Sequence, residues 1–267
     1  MEPIQNSIFA TDISPQISIS LSGKPNNWAG YVNTWNFVRD NEHPDRPREV
    51  FCPTLGSSAD LIHNDSVWAQ KQTNPHEVSI FNNTKADAVV IDRSAGIVMK
   101  PADCPILVIY TSTKAVIAHC GRDNIFDREL ILGKKPRSKR SVIISAMEEF
   151  AKPGKELVKA WVSFGISPEH FVHDPNHPVH GEYNQGLINH ISTLYGNDYF
   201  HGNPWDGKID LQKLVVRQLT ESGVLARNIQ SVPYCTFSNE QSWSHRRETK
   251  RGNVSGRNLV YIETNFN

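Results

Sequence analysis

Cysteine is scarce in this 267-residue chain, with four residues in all, and no two of them form a Cys-x-x-Cys pair. That excludes a zinc ribbon and a thioredoxin-type redox motif, both of which need such pairs. Long apolar runs are missing as well. The longest, Pro105 to Tyr110, is far short of the ~20 residues that a membrane-spanning helix requires. The first stretch, Met1 to Pro15, is polar and interrupted by Pro3 and Pro15, without the charged start and apolar core of a secretory signal. Neither sign of charge is in excess: 28 Lys and Arg stand against 28 Asp and Glu. A neutral balance gives no bulk attraction to nucleic acid or to an anionic membrane, so any anion site has to be local. No internal repeat or long low-complexity segment occurs. The expectation is a cytoplasmic protein with no nucleic-acid or membrane partner, whose Cys52, Cys104, Cys120 and Cys235 stay reduced.

The composition, 38% hydrophobic and 21% charged, is that of a folded globular chain. Residues 17–55, rich in Asn, Pro and Trp, read as short strands and loops, with Pro44, Pro47 and Pro53 breaking any helix. Val- and Ile-rich runs then predict strands at Glu77–Phe81, Ala88–Ile91, Ile97–Lys100, Ile106–Thr111 and Ala115–His119. Tight turns between them favour largely antiparallel or mixed sheets over a βαβ series. Apolar spacing predicts helices over Val142–Phe150 with Ser141 as N-cap, over Leu187–Leu194, and over Leu211–Leu219 between Asp210 and Gly223. Strands are also predicted at Leu157–Phe164 and Leu259–Glu263. The fold class is α+β: one domain over residues 1–267, an α/β sandwich with mixed, largely antiparallel sheets and flanking helices.

The segment richest in chemistry is Pro101-Ala102-Asp103-Cys104-Pro105, a strand, then Ala118-His119-Cys120-Gly121. A Cys and a His at the ends of adjacent strands can meet at one sheet edge. Such a pair can ligate zinc, whose catalytic sites take three protein ligands and keep one position open. It can equally form a thiol nucleophile with its base, or be a buried Cys beside a satisfied His. His76 in the loop before the Glu77 strand is a candidate third ligand. Arg246 and Arg247 follow Trp243, Ser244 and His245, a setting suited to phosphate or to a solvated turn. His170, His173, His177 and His180 lie in one loop, without the spacing of a known metal motif. Lys134, Lys135, Arg137, Lys139 and Arg140 form a basic run that reads as a solvated loop.

In order along the chain, Ala86-Asp87-Ala88, Ala102-Asp103-Cys104-Pro105 and Ala118-His119-Cys120-Gly121 resemble motifs of the laccase-domain family of purine nucleoside phosphorylases. Gly165-Ile166-Ser167-Pro168, the Asp210–Gly223 helix, and Cys235-Thr236 followed by Ser244-His245-Arg246-Arg247 continue the likeness. It runs from about Gln70 to the C-terminus, and residues 1–69 read as a divergent part of the same domain. The resemblance implies a zinc site of two His and one Cys, and metal-assisted phosphorolysis of purine nucleosides or deamination of adenosine, by a transferase or hydrolase, rather than copper oxidation.

Carried over by position, Cys104 and His119 fill two metal places, and the first His ligand place falls on Asn74, with His76 as the substitute. Gly121-Arg122-Asp123-Asn124 departs from the family's Gly-Trp-Arg-Gly, and residues 125–138 read as an insertion. The implied roles are Cys104, His119 and His76 on the metal, with Asp103 orienting a ligand. Arg246 or Arg247 neutralises charge, and Asn74, Arg122 and His245 bind substrate. The implied partners are a purine nucleoside and phosphate, for a monomer or homodimer. Two other readings remain open: a metal-free Cys/His hydrolase acting on a cell-wall precursor, and a binding homologue that has lost catalysis.

Overall fold

A computed structural model describes residues 9–24, 28, 36–37, 49–73, 78–138, 141–150 and 157–266. The strands are β1 (Phe9–Ser14), β2 (Ile17–Ser22), β3 (Glu49–Thr54), β4 (Leu61–His63), β5 (Gln70–Thr73), β6 (Ser79–Lys85), β7 (Ala88–Ile91), β8 (Ala95–Met99), β9 (Ile106–Tyr110), β10 (Ala115–His119), β11 (Lys159–Val162), β12 (Ile229–Ser231) and β13 (Leu259–Thr264). The helices are α1 (Arg122–Ile125), α2 (Arg128–Ile131), α3 (Val142–Glu148), α4 (Gly181–Tyr195), α5 (Leu211–Glu221) and α6 (His245–Lys250).

The strands form two mixed sheets, ordered β1-β2-β13-β8-β3-β6-β5 and β12-β11-β9-β10-β7-β4. In the second sheet β9, β10 and β7 pair antiparallel, while β4 and β12 join its edges in parallel. Alternation along these strands builds two apolar layers. Ile106, Val108, Ala115 and Ile117 face the first sheet and pack with Ile19, Phe51, Ile97 and Ile262. Leu107, Ile109, Val116 and Ala118 face the other way, onto Ile143, Leu187, Leu214 and Leu219 of α3, α4 and α5. A strand buried on both faces carries no polar alternation, which is why these segments read as continuous apolar runs.

Helix ends follow their capping chemistry. The Ser141 side chain accepts the Ile143 N–H that opens α3, and Asp210 Oδ1 accepts the Lys213 N–H in the first turn of α5. Gly223 follows α5 at φ +99°, a left-handed conformation that glycine adopts without a Cβ clash. α4 is longer than the Leu187–Leu194 prediction. Its first turn is anchored by the tertiary contacts of Tyr183 and Asn184, which leave no mark on local periodicity. The 125–138 segment contains α2, capped by Asp127. Among the described residues no helix is long and apolar enough to cross a membrane.

Candidate active site

The antiparallel register of β9 and β10 sets His119 opposite Ile106, two residues after Cys104. The Cys104 and His119 side chains therefore converge where β9 begins and β10 ends, and the sulfur acts on the charge of the imidazole. Gly121 completes the corner. A Cβ there would lie 2.5 Å from Asn124 Oδ1, 3.2 Å from His119 Cε1 and 3.4 Å from Cys104 Sγ. A methyl there would have to push the Asn124 side chain aside and would crowd the His119 ring. Gly121→Ala is expected to lower turnover roughly tenfold, less than the loss that misplacing a reacting group by about 1 Å brings. Steady-state kinetics beside a thermal melt would check this, since a drop in melting temperature matching the activity loss would deny the local cause.

Asp87 is the residue that sequence reasoning missed. It lies in the turn before β7, fully buried. Its oxygens accept the backbone N–H groups of Gly56 at 2.8 Å, Ser58 at 3.0 Å and Ala59 at 3.0 Å. Ala59 is at φ +60°, costly for a residue with a Cβ, and this hydrogen bond helps hold it there. Asp87 Oδ1 also stands 3.6 Å from His119 Nδ1, a nitrogen with no closer polar partner. With Nδ1 turned to the carboxylate, Nε2 is the nitrogen free to act, the arrangement in which carboxylates orient metal-binding or catalytic histidines. Burial raises the Asp87 carboxyl, but His119 and the backbone donors outweigh it and hold the group below its ordinary value. Burial likewise opposes charge on His119. Cys104 and Asp87 prevail, and its pKa is pushed up to about 9.

Asp103 does not orient the imidazole. Oδ1 accepts the Thr236 hydroxyl at 2.8 Å and Oδ2 the Arg246 N–H at 2.9 Å, so it ties the start of α6 to the β9 corner. Arg247 is corrected too: it is buried away from the cavity. Its guanidinium donates to the carbonyls of Thr236, Phe237, Asn239 and Ser242 and pairs with Glu248 at 3.1 Å. It organises the 236–248 turn.

The cavity beside Cys104 and His119 measures about 440 Å³, within the range of small-molecule sites. Asp103, Arg122, Asp123, Phe171, His245 and Arg246 line it together with His173. The four loop histidines separate. His173 reaches the cavity, His170 stacks on Phe237 with centroids 3.9 Å apart, and His177 and His180 stack on each other at 4.8 Å. His173 arrives through a close backbone approach. Its N–H donates to the Gly207 carbonyl at 2.8 Å, and a Cβ at Gly207, φ +65°, would lie 2.1 Å from the His173 carbonyl oxygen. His76, Asn74, Lys139 and Arg140 lie outside the described residues.

Sulfur and imidazole nitrogen are donors that a thiophilic divalent metal accepts, so Cys104 and His119 fit two places of such a site. Among the described residues no third His, Cys, Asp or Glu joins them.

Residues 46–265 match the family model described as multi-copper polyphenol oxidoreductase laccase. The chain belongs to this family. The match starts well before Gln70, so part of the divergent N-terminal segment shares the family pattern. The family is metal-associated by name. Three solved structures share the fold of this laccase-family protein. The Neisseria meningitidis protein NMB0706 has 15% identity and a TM-score of 0.68, covering 98% of this chain and 100% of its own. YlmD from Geobacillus stearothermophilus has 16% identity and a TM-score of 0.65, covering 94% of this chain and 93% of its own. Bacillus licheniformis hypothetical protein YfiH has 15% identity and a TM-score of 0.63, covering 93% and 92%. No curated protein sequence matches significantly.

Proposed function

We propose that this laccase-family protein is a metal-assisted enzyme of purine nucleosides, catalysing phosphorolysis at the ribose C1′ and deamination of adenosine by attack of water on the amino-bearing carbon of the base, with ammonia leaving. The observation that carries the reading is the convergence of Cys104 and His119 on one wall of a cavity that Arg122, Arg246 and Phe171 also line. Cys104, His119 and His76 would hold zinc, with Asn74 in the place the family gives to a histidine. Zinc bound there would supply a Lewis acid and a site for an activated oxygen.

The chain's own residues do the rest. Asp87 holds His119 with Nε2 forward. Phe171 offers a ring to a purine base, with the Arg246 guanidinium 5.5 Å from its centroid. Arg246 places positive charge where phosphate or the charge developing on leaving can be met. The metal-free protein carries its proton on His119 up to about pH 9, and zinc must displace it. Zinc affinity is therefore expected to rise with pH, about tenfold per unit or more, as protons are displaced from the ligands. Competition titrations at stepped pH measure it, and a flat profile would deny His119 as a ligand.

The test is chromatography of adenosine incubated with zinc-treated protein, with and without phosphate. Adenine and ribose phosphate formed only with phosphate support phosphorolysis, and inosine supports deamination. No product from folded, metal-loaded protein overturns both and leaves a binding role. A second reading, a metal-free thiol hydrolase, is favoured by the convergence of the Cys104 sulfur and the His119 imidazole, whose charged form the sulfur favours. Full activity after chelation, lost on alkylation of Cys104, would select it.

A further inference from the structure

We propose that Arg122 and Arg246 form a phosphoryl-anion subsite in the cavity beside Cys104, and that His173 is the positioning residue that holds Arg122 in it. The proposal rests on the nucleoside reading for its substrate and on this geometry for its location. Both carboxylates that line the cavity are already engaged. Asp103 is spent on Thr236 and the Arg246 backbone, and Asp123 on Arg122 and on the Tyr183 hydroxyl at 2.7 Å. Arg246 has no carboxylate within ion-pair distance among the described residues. Burial and the neighbouring Arg122 charge pull its pKa down, opposed in part by Asp103 and Cys104. Arg122 is matched by Asp123, while Arg246 has no ion-pair carboxylate among the described residues, so two guanidinium groups face one partly desolvated space with a surplus of positive charge that an anion relieves.

Arg122 is set in place by a chain of contacts across three segments. Nε and one terminal nitrogen donate to the two Asp123 oxygens at 2.7 and 3.1 Å, and the other terminal nitrogen donates to His173 Nδ1 at 3.0 Å. The guanidinium lies 4.6 Å from the Tyr183 ring centroid. Of its five N–H donors, these contacts use three, and Arg122 lines the cavity. Because arginine only donates, His173 must accept at Nδ1 and carry its proton on Nε2. Neither His173 Nε2 nor Asn184 Oδ1 has a hydrogen-bond partner among the described residues, and Asn184 Nδ2 is committed to the Asp174 carbonyl at 2.8 Å. Burial and the charges of Arg122 and Arg246 keep the His173 pKa well below 6.5, so the accepting lone pair persists through neutral pH.

Two sources of a phosphoryl group fit this chemistry: inorganic phosphate, and the phosphate of a nucleoside 5′-monophosphate. The experiment is calorimetric titration of the full-length protein with phosphate, adenosine monophosphate and adenosine. Wild type is compared with Arg122→Gln, Arg246→Gln, His173→Leu and His173→Asn. Phosphoryl ligands are expected to bind roughly tenfold more weakly to His173→Leu and to each arginine variant, the loss of one charge-assisted hydrogen bond. Adenosine affinity of His173→Leu should stay within about twofold.

His173→Asn, whose side-chain oxygen can stand at the Nδ1 place, should recover most of the loss. A purely structural role would not produce that selective rescue. Binding of phosphate alone identifies it as co-substrate. Tighter binding of the monophosphate, with the same variant pattern, places the phosphoryl group on the substrate. Absence of phosphoryl binding by wild type, or equal loss of adenosine and phosphate in His173→Leu, overturns the proposal. Adenosine turnover without phosphate binding sinks the subsite and spares the nucleoside reading, and phosphate binding without turnover does the reverse.

Discussion

Cys104→Ala and His119→Ala are each expected to lower nucleoside turnover by about 10³-fold or more, with the fold intact, and the double variant should be little worse than either single one. The two side chains occupy one corner and interact electrostatically, and groups that act as a unit fail together. Neither side chain is a large part of the core: His119 is 12% exposed and Cys104 is half-buried. A chromatographic assay beside near-ultraviolet circular dichroism separates chemistry from folding. Losses that multiply in the double variant would mean that the residues work independently, which the shared corner does not allow. Asp87→Asn should cost less, about 10–100-fold, because it removes the orienting charge and leaves the ligands. Cys120, beside His119 in sequence, is the internal control. It is fully buried, burial pushes its thiol far up, and it should resist alkylation under conditions that modify Cys104.

The second large effect concerns stability. Arg247→Ala is expected to destabilise the protein by about 3–5 kcal/mol, the usual cost of breaking a buried ion pair from one side. That corresponds to roughly a 10 °C fall in melting temperature for a chain of this size. The guanidinium is 3% exposed and satisfies four carbonyl groups of the 236–242 turn. Its removal strands them and leaves Glu248 with Lys24 and Asn253 alone. Arg247→Lys keeps the charge but cannot reproduce the fork, and should recover less than half of the loss. Differential scanning calorimetry decides: a melting temperature within 2–3 °C of wild type would show that the turn stands without the arginine.

The same cluster sets the acid limit of the fold. Burial raises the Glu248 carboxyl, but Lys24, Asn253 and Arg247 overcome it and hold the pKa down to about 2. Its contribution is thus present above the unfolded value of 4.5 and is lost as pH falls toward 2.

The adjacent arginines show how far sequence reading reaches. Arg246 and Arg247 are indistinguishable in one dimension, both candidates for phosphate. Helix α6 turns successive side chains through about 100°, so one faces the cavity and its neighbour the interior. Asp103 and Asp87 divide in the same way. Asp103 adjoins Cys104 and drew the orienting role, but in the bend before β9 its side chain binds Thr236 and Arg246. Asp87, remote from both site residues in sequence, comes to His119 because β7 pairs with β10 and Ala88 stands opposite Ala118.

His173 carried no local signal at all. It shared a loop with three other histidines, and only the Gly207 approach and the Arg122 contact single it out. The family likeness, by contrast, was legible from short ordered motifs, because those residues sit at strand ends and turns where few side chains fit.

By itself the sequence determined the strands and helices of the core, since period and capping are local properties. It also determined that Cys104 and His119 meet, since a short strand pair joined by a tight turn leaves its flanking residues nowhere else to go. Tertiary structure alone decided which carboxylate serves His119, which arginine faces the cavity and which histidine joins it. Those choices depend on strand register, helix phase and the approach of loops distant in sequence, and contacts between segments far apart in the chain leave no periodicity in it.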